Sequence, residues 1–341
     1  MRELNYAAAV REAHAQLLES DPRVFVIGQG LWSPWYAGTS LKDLDKDFGR
    51  HRIIDSPVSE NATTAAAIGA AIVGMRPIVF HPRMDFMLLA VDPIVNQAAN
   101  WSYVFGGKMA APVVIRAVIN RRGEQGAQHS QALQAMYAHV PGLKVVMPAS
   151  AYDAKGLLIA AVRDPNPVLY IDDRMLYSQT EHVPEEMYEV PIGRAAVRRV
   201  GGDVTIVATS CMTATAAQAA ETLAARGVQA EVIDLRSIKP WDKPCVLASV
   251  RKTGRLVVVD EAWRTCGVAA EITATAAAEA FDALAAPIER VCLPDVPAPT
   301  SRALEEAYYI QPGDVVAAAE RTVKYHARGV SPERATLRRA G

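Results

Sequence analysis

Cysteine is scarce in this 341-residue chain: Cys211, Cys245, Cys266 and Cys292 are scattered, with no CxxC pair and no metal-ligand spacing. That excludes a disulfide scaffold or a zinc ribbon and leaves buried, reduced thiols as the expectation. Surplus charge is missing too, since 36 Lys and Arg face 37 Asp and Glu, a formal net charge of −1. Nothing in that balance asks for nucleic acid as a partner. No window approaches the uninterrupted apolar run of a membrane span. The opening MRELNYAAAVREAHAQLLESDP has no apolar centre of the signal-peptide kind and reads as an amphipathic helix. A soluble, cytoplasmic protein with no membrane contact is expected. Also absent are a P-loop, a full GxGxxG fingerprint, a nucleophile elbow, and a GDG…N signature for diphosphate and metal. Gly28-Gln29-Gly30 lacks a third glycine and reads only as a tight turn after a strand.

What is present is an α/β alternation. Half the residues are hydrophobic, ample for sizeable cores, and the length suggests two or three domains. Strand candidates are 24–28, 76–80, 112–118, 143–148 and 167–172, nearly continuous in apolarity as for strands buried on both faces. Helices are expected near 4–20, 61–73, 86–106 and 151–162, with Gly74 and Pro77 stopping the second. A polar, Pro-containing stretch at 178–193 marks a boundary. A second alternation follows, with strands at 203–209, 230–236, 255–261 and 288–294 and helices near 212–226, 242–252, 267–283 and 312–325. The expected layout is two domains with mainly parallel sheets flanked by helices, at 1–190 and 195–330, and a basic tail at 331–341. The basic residues near that end (Arg321, Lys324, Arg328, Arg334, Arg338, Arg339) read as solvated.

Glu60 stands just ahead of a small, apolar run, 65–71, that must pack closely on both sides. An acid there is satisfied by the helix macrodipole; equally, a partly desolvated carboxylate can share a proton with a heterocyclic nitrogen. His129 sits in GEQGAQHSQ, where Gly123 and Gly126 suggest a backbone bent to present side chains. Bonding to loop backbone is the structural alternative. Arg121 and Arg122 beside it suit a carboxylate or phosphate, or are solvated surface arginines. His81-Pro82-Arg83-Met84-Asp85-Phe86 lies just past a strand end, where open parallel sheets place ligands. Phe86 there can stack on a flat ring or belong to the core.

These blocks, with RIIDSPVSEN (52–61), AAIGAAIVGMRPIV (66–79), DFMLLAVDPIVNQAAN (85–100), AQHSQ and PGLKVVMP, DAKGLLIAAVRDPNPV (153–168), AEVIDLRSIKPWD (230–242) and RKTGRLVVVDE (251–261), span nearly the whole chain. Over that span the chain resembles the beta subunit of the decarboxylating first component of 2-oxoacid dehydrogenase complexes (pyruvate, branched-chain or acetoin type), within the transketolase-like superfamily. The resemblance implies a pyrimidine-binding domain and a transketolase C-terminal-like domain. It implies thiamine diphosphate as cofactor, with its diphosphate and Mg²⁺ held by an alpha subunit in an α2β2 heterotetramer. The family's essential glutamate falls on Glu60, its ring-contacting phenylalanine on Phe86 with Pro82 alongside, and its active-site histidine on His129. A monovalent cation, K⁺, would fall on Val113, Ala161, Val162, Asp164 and Asn166. The implied reaction is decarboxylation of a 2-oxoacid and acyl transfer to a lipoyl-bearing acyltransferase or an acyl carrier protein.

The chain departs from the pyruvate-type pattern at Phe80-His81-Pro82-Arg83 and at 297–309. His81 and Arg83 would favour a phosphorylated or multiply hydroxylated substrate, such as a ketose. Two other readings stay open: a split transketolase moving a two-carbon ketol unit, and a non-catalytic scaffold chain.

Overall fold

Alternating side chains along each central strand feed two separate apolar layers, and that alternation organises the molecule. The computed structural model describes residues 2–325, so the expected tail at 331–341, with Arg334, Arg338 and Arg339, and Arg328 before it, lies outside the described residues. The first sheet has seven strands, in the order Ser237–Lys239, Lys144–Val146, Val168–Asp173, Val114–Ile119, Arg76–His81, Val24–Gly28, Ile53–Asp55. Every neighbouring pair is parallel except the first. Val114 and Val118 face one layer with the packed helices Tyr6–Ser20 and Ala151–Arg163. Ile115, Ala117 and Ile119 face the other, with helix Glu60–Ile72. Burial on both faces explains why these strands read as unbroken apolar runs.

The second sheet has five strands, Ala196–Arg199, Ala230–Asp234, Val204–Ala208, Leu256–Trp263 and Glu289–Leu293, and only Ala196–Arg199 runs antiparallel. Strand Ser237–Lys239 leaves this half and pairs with Lys144–Val146 at the margin of the first sheet. The sequence gives no strand signal there, because three residues are too few for a period-2 pattern.

The expected helix at 86–106 is replaced by three pieces: a 3₁₀ turn at Phe86–Ala90, a π-helical stretch at Pro93–Ala99 and an α-helical turn at Asn100–Val104. Pro93 carries no backbone N–H, so an α-helix cannot run through it with its ladder intact. The thiols are all free, but only Cys211 is buried. Cys266 is exposed, contrary to the expectation for it. None of the described helices is long and apolar enough to cross a membrane.

Candidate active site

Glu60 opens the helix Glu60–Ile72 and is only 7% exposed. Among the described residues no side chain pairs with its carboxylate; only its backbone carbonyl is used, accepting from the Thr63 hydroxyl at 3.2 Å. The acid is therefore placed at the favourable end of a helix, largely buried and without a side-chain partner among the described residues. One turn on, the buried Thr64 hydroxyl lies 3.1 Å from His81 Nε2. Burial draws the His81 pKa down to about 4, so the ring is neutral near pH 7. His81 thus packs beneath the Glu60 helix and does not face substrate, which corrects the expectation for it.

The 3₁₀ turn packs against the same helix and presents Phe86, which is partly exposed. The His129 ring meets Phe86 edge-on, with centroids 5.4 Å apart at 88°. Just before Phe86 in sequence lies an acid that the pattern did not single out, Asp85. Its Oδ1 accepts from the Gln131 N–H at 3.1 Å, while its buried Oδ2 has no partner. Burial raises its pKa, and hydrogen bonds from Gln131 offset part of that rise. The only signal in the sequence is its place just before Phe86 at a strand end. Pro82 is buried, and its carbonyl accepts from Arg83 Nη1 at 2.8 Å. Arg83 keeps a half-buried place beside this edge.

His129 rides on a loop that follows strand Val114–Ile119. Arg122, Gly123, Glu124 and Gly126 all have positive φ, at 66°, 68°, 63° and 72°. Such angles are strained for Arg and Glu. The loop is held by the second half of the chain: the Glu124 N–H donates to Glu305 Oε1 at 3.0 Å, and the Arg122 N–H to the Tyr309 hydroxyl at 3.3 Å. Arg121 and Arg122 belong to that clamp, which corrects their expected substrate role. Arg121 is enclosed between Asp173 at 3.0 Å and Glu261 at 2.9 Å. Burial works against its charge, and those acids outweigh it, so Arg121 stays firmly protonated. Arg122 pairs with Glu261 at 3.2 Å and lies 4.7 Å above the Tyr309 ring.

The residues expected to cage K⁺ are already engaged. The carbonyls of Val162 and Asp164 accept from Arg76 Nη1 at 3.2 and 2.8 Å, and the Asp164 carboxylate pairs with Lys144. The Val113 carbonyl accepts from the Val168 N–H, and the Asn166 N–H donates to Asp164 Oδ1. Ala161 sits within the helix whose end these groups form. Positive side chains of the chain itself fill this carboxyl-terminal helix end, so the set does not fit an added ion. Among the described residues no three His, Cys, Asp or Glu converge as a metal site.

The transketolase pyrimidine-binding domain family matches residues 2–179, and the transketolase C-terminal domain family matches residues 193–315. The chain is 44% identical to the beta subunit of acetoin:2,6-dichlorophenolindophenol oxidoreductase of Cupriavidus necator, covering 95% of this chain and 98% of that one. It is 41% identical to subunit beta-2 of the mitochondrial pyruvate dehydrogenase E1 component of Oryza sativa, covering 94% and 86%.

The chain belongs to the transketolase-like beta subunits of E1 type.

Among solved structures it is similar to a split gene transketolase described as an inactive beta4 tetramer, with TM-score 0.78, 26% identity, and 94% and 98% of the two chains covered. As a member of this family the chain depends on thiamine diphosphate. Glu60, on the helix against which the turn carrying Phe86 packs, has the chemistry to meet the pyrimidine end of that cofactor. The clamp from Glu261, Glu305 and Tyr309 went unread in the sequence because its members lie far along the chain from the loop they hold.

Proposed function

We propose that this beta subunit supplies the pyrimidine-side wall of a shared active site and that an alpha subunit supplies the diphosphate side with its Mg²⁺, as an α2β2 assembly. The carrying observation is Glu60, a largely buried carboxylate at a helix start with no partner among the described residues. Thiamine diphosphate, when bound, would supply the carbanion chemistry. Glu60 would hold a proton at the pyrimidine ring nitrogen, Phe86 would give that ring an apolar face, and Pro82 would back it. His129, kept in place by Phe86 and Asp85, would act on the substrate side as proton donor and acceptor. Exposed apolar side chains occur in the segments just before the Glu60 helix and after Phe86, Val58, Leu89, Tyr103 and Val104 among them. Such side chains suit burial against another chain.

The proposed reaction is oxidative decarboxylation of a 2-oxoacid, or cleavage of a related hydroxyketone such as acetoin, with the acyl group passed to a lipoyl-bearing acyltransferase or a carrier-protein thiol. A split transketolase remains the second reading, favoured by the similarity to the split gene transketolase and by Arg83 at the substrate edge. The test is the alpha–beta complex with pyruvate or acetoin and 2,6-dichlorophenolindophenol as electron acceptor. Glu60→Gln should lower kcat by about 10²–10³-fold, as expected for one charged contact made during catalysis. Nearly full activity in that variant would rule out the assignment of Glu60. It would leave a scaffold role in its place.

A further inference from the structure

We infer that Arg83 and Arg174 form a subsite for a second anionic group on the substrate, a carboxylate or phosphate remote from the reacting carbonyl. The inference rests on the functional reading above, because it takes the crevice beside His129 as the place where substrate lies.

The two arginines leave the carboxyl edge of the first sheet on either side of one strand. Arg83 follows strand Arg76–His81, and Arg174 follows strand Val168–Asp173. Strand Val114–Ile119 runs between them, with His81 paired to Ala117 and Asp173 to Ile119. The Met84 N–H donates to the Val118 carbonyl at 2.8 Å, which pins the Arg83 turn over the end of that strand. The next residue, Asn120, accepts from Arg174 Nη1 at 3.0 Å and begins the loop that carries His129. Both arginines thus leave the edge where parallel sheets bind their ligands.

Their charge is unmatched. The fully buried arginines have carboxylate partners, Arg116 with Asp172 and Arg121 with Asp173 and Glu261, and the half-buried Arg52, Arg76 and Arg255 each bond two or more carbonyls. Among the described residues neither Arg83 nor Arg174 has a carboxylate at ion-pair distance. Arg83 bonds only the carbonyl of Pro82, and its buried Nε has no partner. Burial and then the positive charge of Arg174 pull the Arg83 pKa below its usual value, while Tyr36 and Asp85 oppose this more weakly. Two like charges on one sheet edge, Arg83 half-buried and Arg174 exposed, repel each other until an anion bridges them. Planar guanidiniums offer paired N–H donors that match carboxylate and phosphate oxygens. The Tyr36 hydroxyl, which accepts from Gln29 Nε2 at 2.9 Å, can add a donor of its own. A substrate with a second negative group is the occupant this chemistry selects.

The alpha–beta complex is assayed by dye reduction with neutral acetoin, pyruvate, 2-oxoglutarate with its second carboxylate, and D-xylulose 5-phosphate with its phosphate. The wild type should favour 2-oxoglutarate or xylulose 5-phosphate in kcat/KM, and whichever is favoured names the anion. Arg174→Gln, at an exposed position where folding is not at stake, and Arg83→Gln should each cut the ratio of that value to the acetoin value by about 10- to 100-fold, mainly through KM. Added salt should lower the same ratio in the wild type. A wild type that prefers acetoin or pyruvate, or variants that slow all four probes equally, would overturn the subsite. The Glu60→Gln complex separates the two ideas. If it keeps reducing dye, the functional reading fails; if it stops while the arginine variants keep the wild-type ranking, only the subsite fails.

Discussion

At the scale of single residues, environment has sorted the polar side chains of this edge into different jobs. Glu60 and Asp85 are carboxylates with unused bonding capacity, whereas His81 is a ring kept neutral in the interior. That neutrality has a pH consequence. The folded pKa of His81 is about 4 against an ordinary 6.5, so the unfolded chain takes up the proton first as pH falls. Stability is full above about 6.5 and declines as pH drops towards 4. Between pH 7.5 and 5 the loss from this residue is about 2 kcal/mol. His14, drawn down to about 3 by burial, acts in the same direction. Denaturant titrations at the two pH values should show a smaller drop in His81→Gln, which keeps an acceptor for Thr64 without the titration. An unchanged pH dependence would mean that His81 is not neutral in the fold.

Glu60, Phe86 and His129, the residues of the proposed site, could be singled out in the sequence because each stands at a junction with a local signature: a helix start, a strand end, a Gly-flanked loop. Arg121, Arg122 and His81 were misread for the opposite reason. A charged or polar residue looks the same in sequence whether it faces a ligand or a buried partner. The partner that decides the matter for Arg121, Glu261, is 140 residues away.

At the scale of elements, the His129 loop is strained and held from outside. Glu305, in the short helix Arg302–Tyr308, accepts the Glu124 N–H. Glu305→Ala should free the loop, speeding hydrogen exchange at 122–126 and lowering kcat about tenfold, while Glu305→Gln, which keeps the acceptor, restores both. Equal rates in the wild type and Glu305→Ala would show that the loop holds itself. A different test applies to the end of helix Ala151–Arg163. Since Arg76 and Lys144 already bring positive charge there, the thermal midpoint should be the same in potassium and choline chloride at equal ionic strength. A potassium-specific rise of several degrees would restore the cation site. Most strands and helices lie within a residue or two of their expected limits, because long apolar runs and Ala-rich stretches declare themselves. The stretch after Phe86 did not, since its composition is helical and only Pro93 speaks against a continuous helix.

At the scale of the whole molecule, two features stand out among the contacts that join the halves. One is the strand Ser237–Lys239 inserted into the first sheet; the other is Arg121 of the first half buried against Glu261 of the second. Calorimetry should therefore find one cooperative transition, and two separable peaks would refute the coupling. Glu261→Gln, which leaves the enclosed Arg121 with Asp173 alone, should lower unfolding free energy by about 3 kcal/mol. The sequence marked a polar boundary near 178–193 but nothing of these bonds across it, since both depend on pairings between distant segments.

The borrowed strand carries a practical warning for anyone who would trim the polypeptide. A fragment ending near residue 190 would leave Lys144–Val146 with bare amides and carbonyls along its outer side, an invitation to stack with copies of itself. Insoluble product from such a truncation would reflect a stripped margin, not a failure of the amino-terminal half to recognise its own fold.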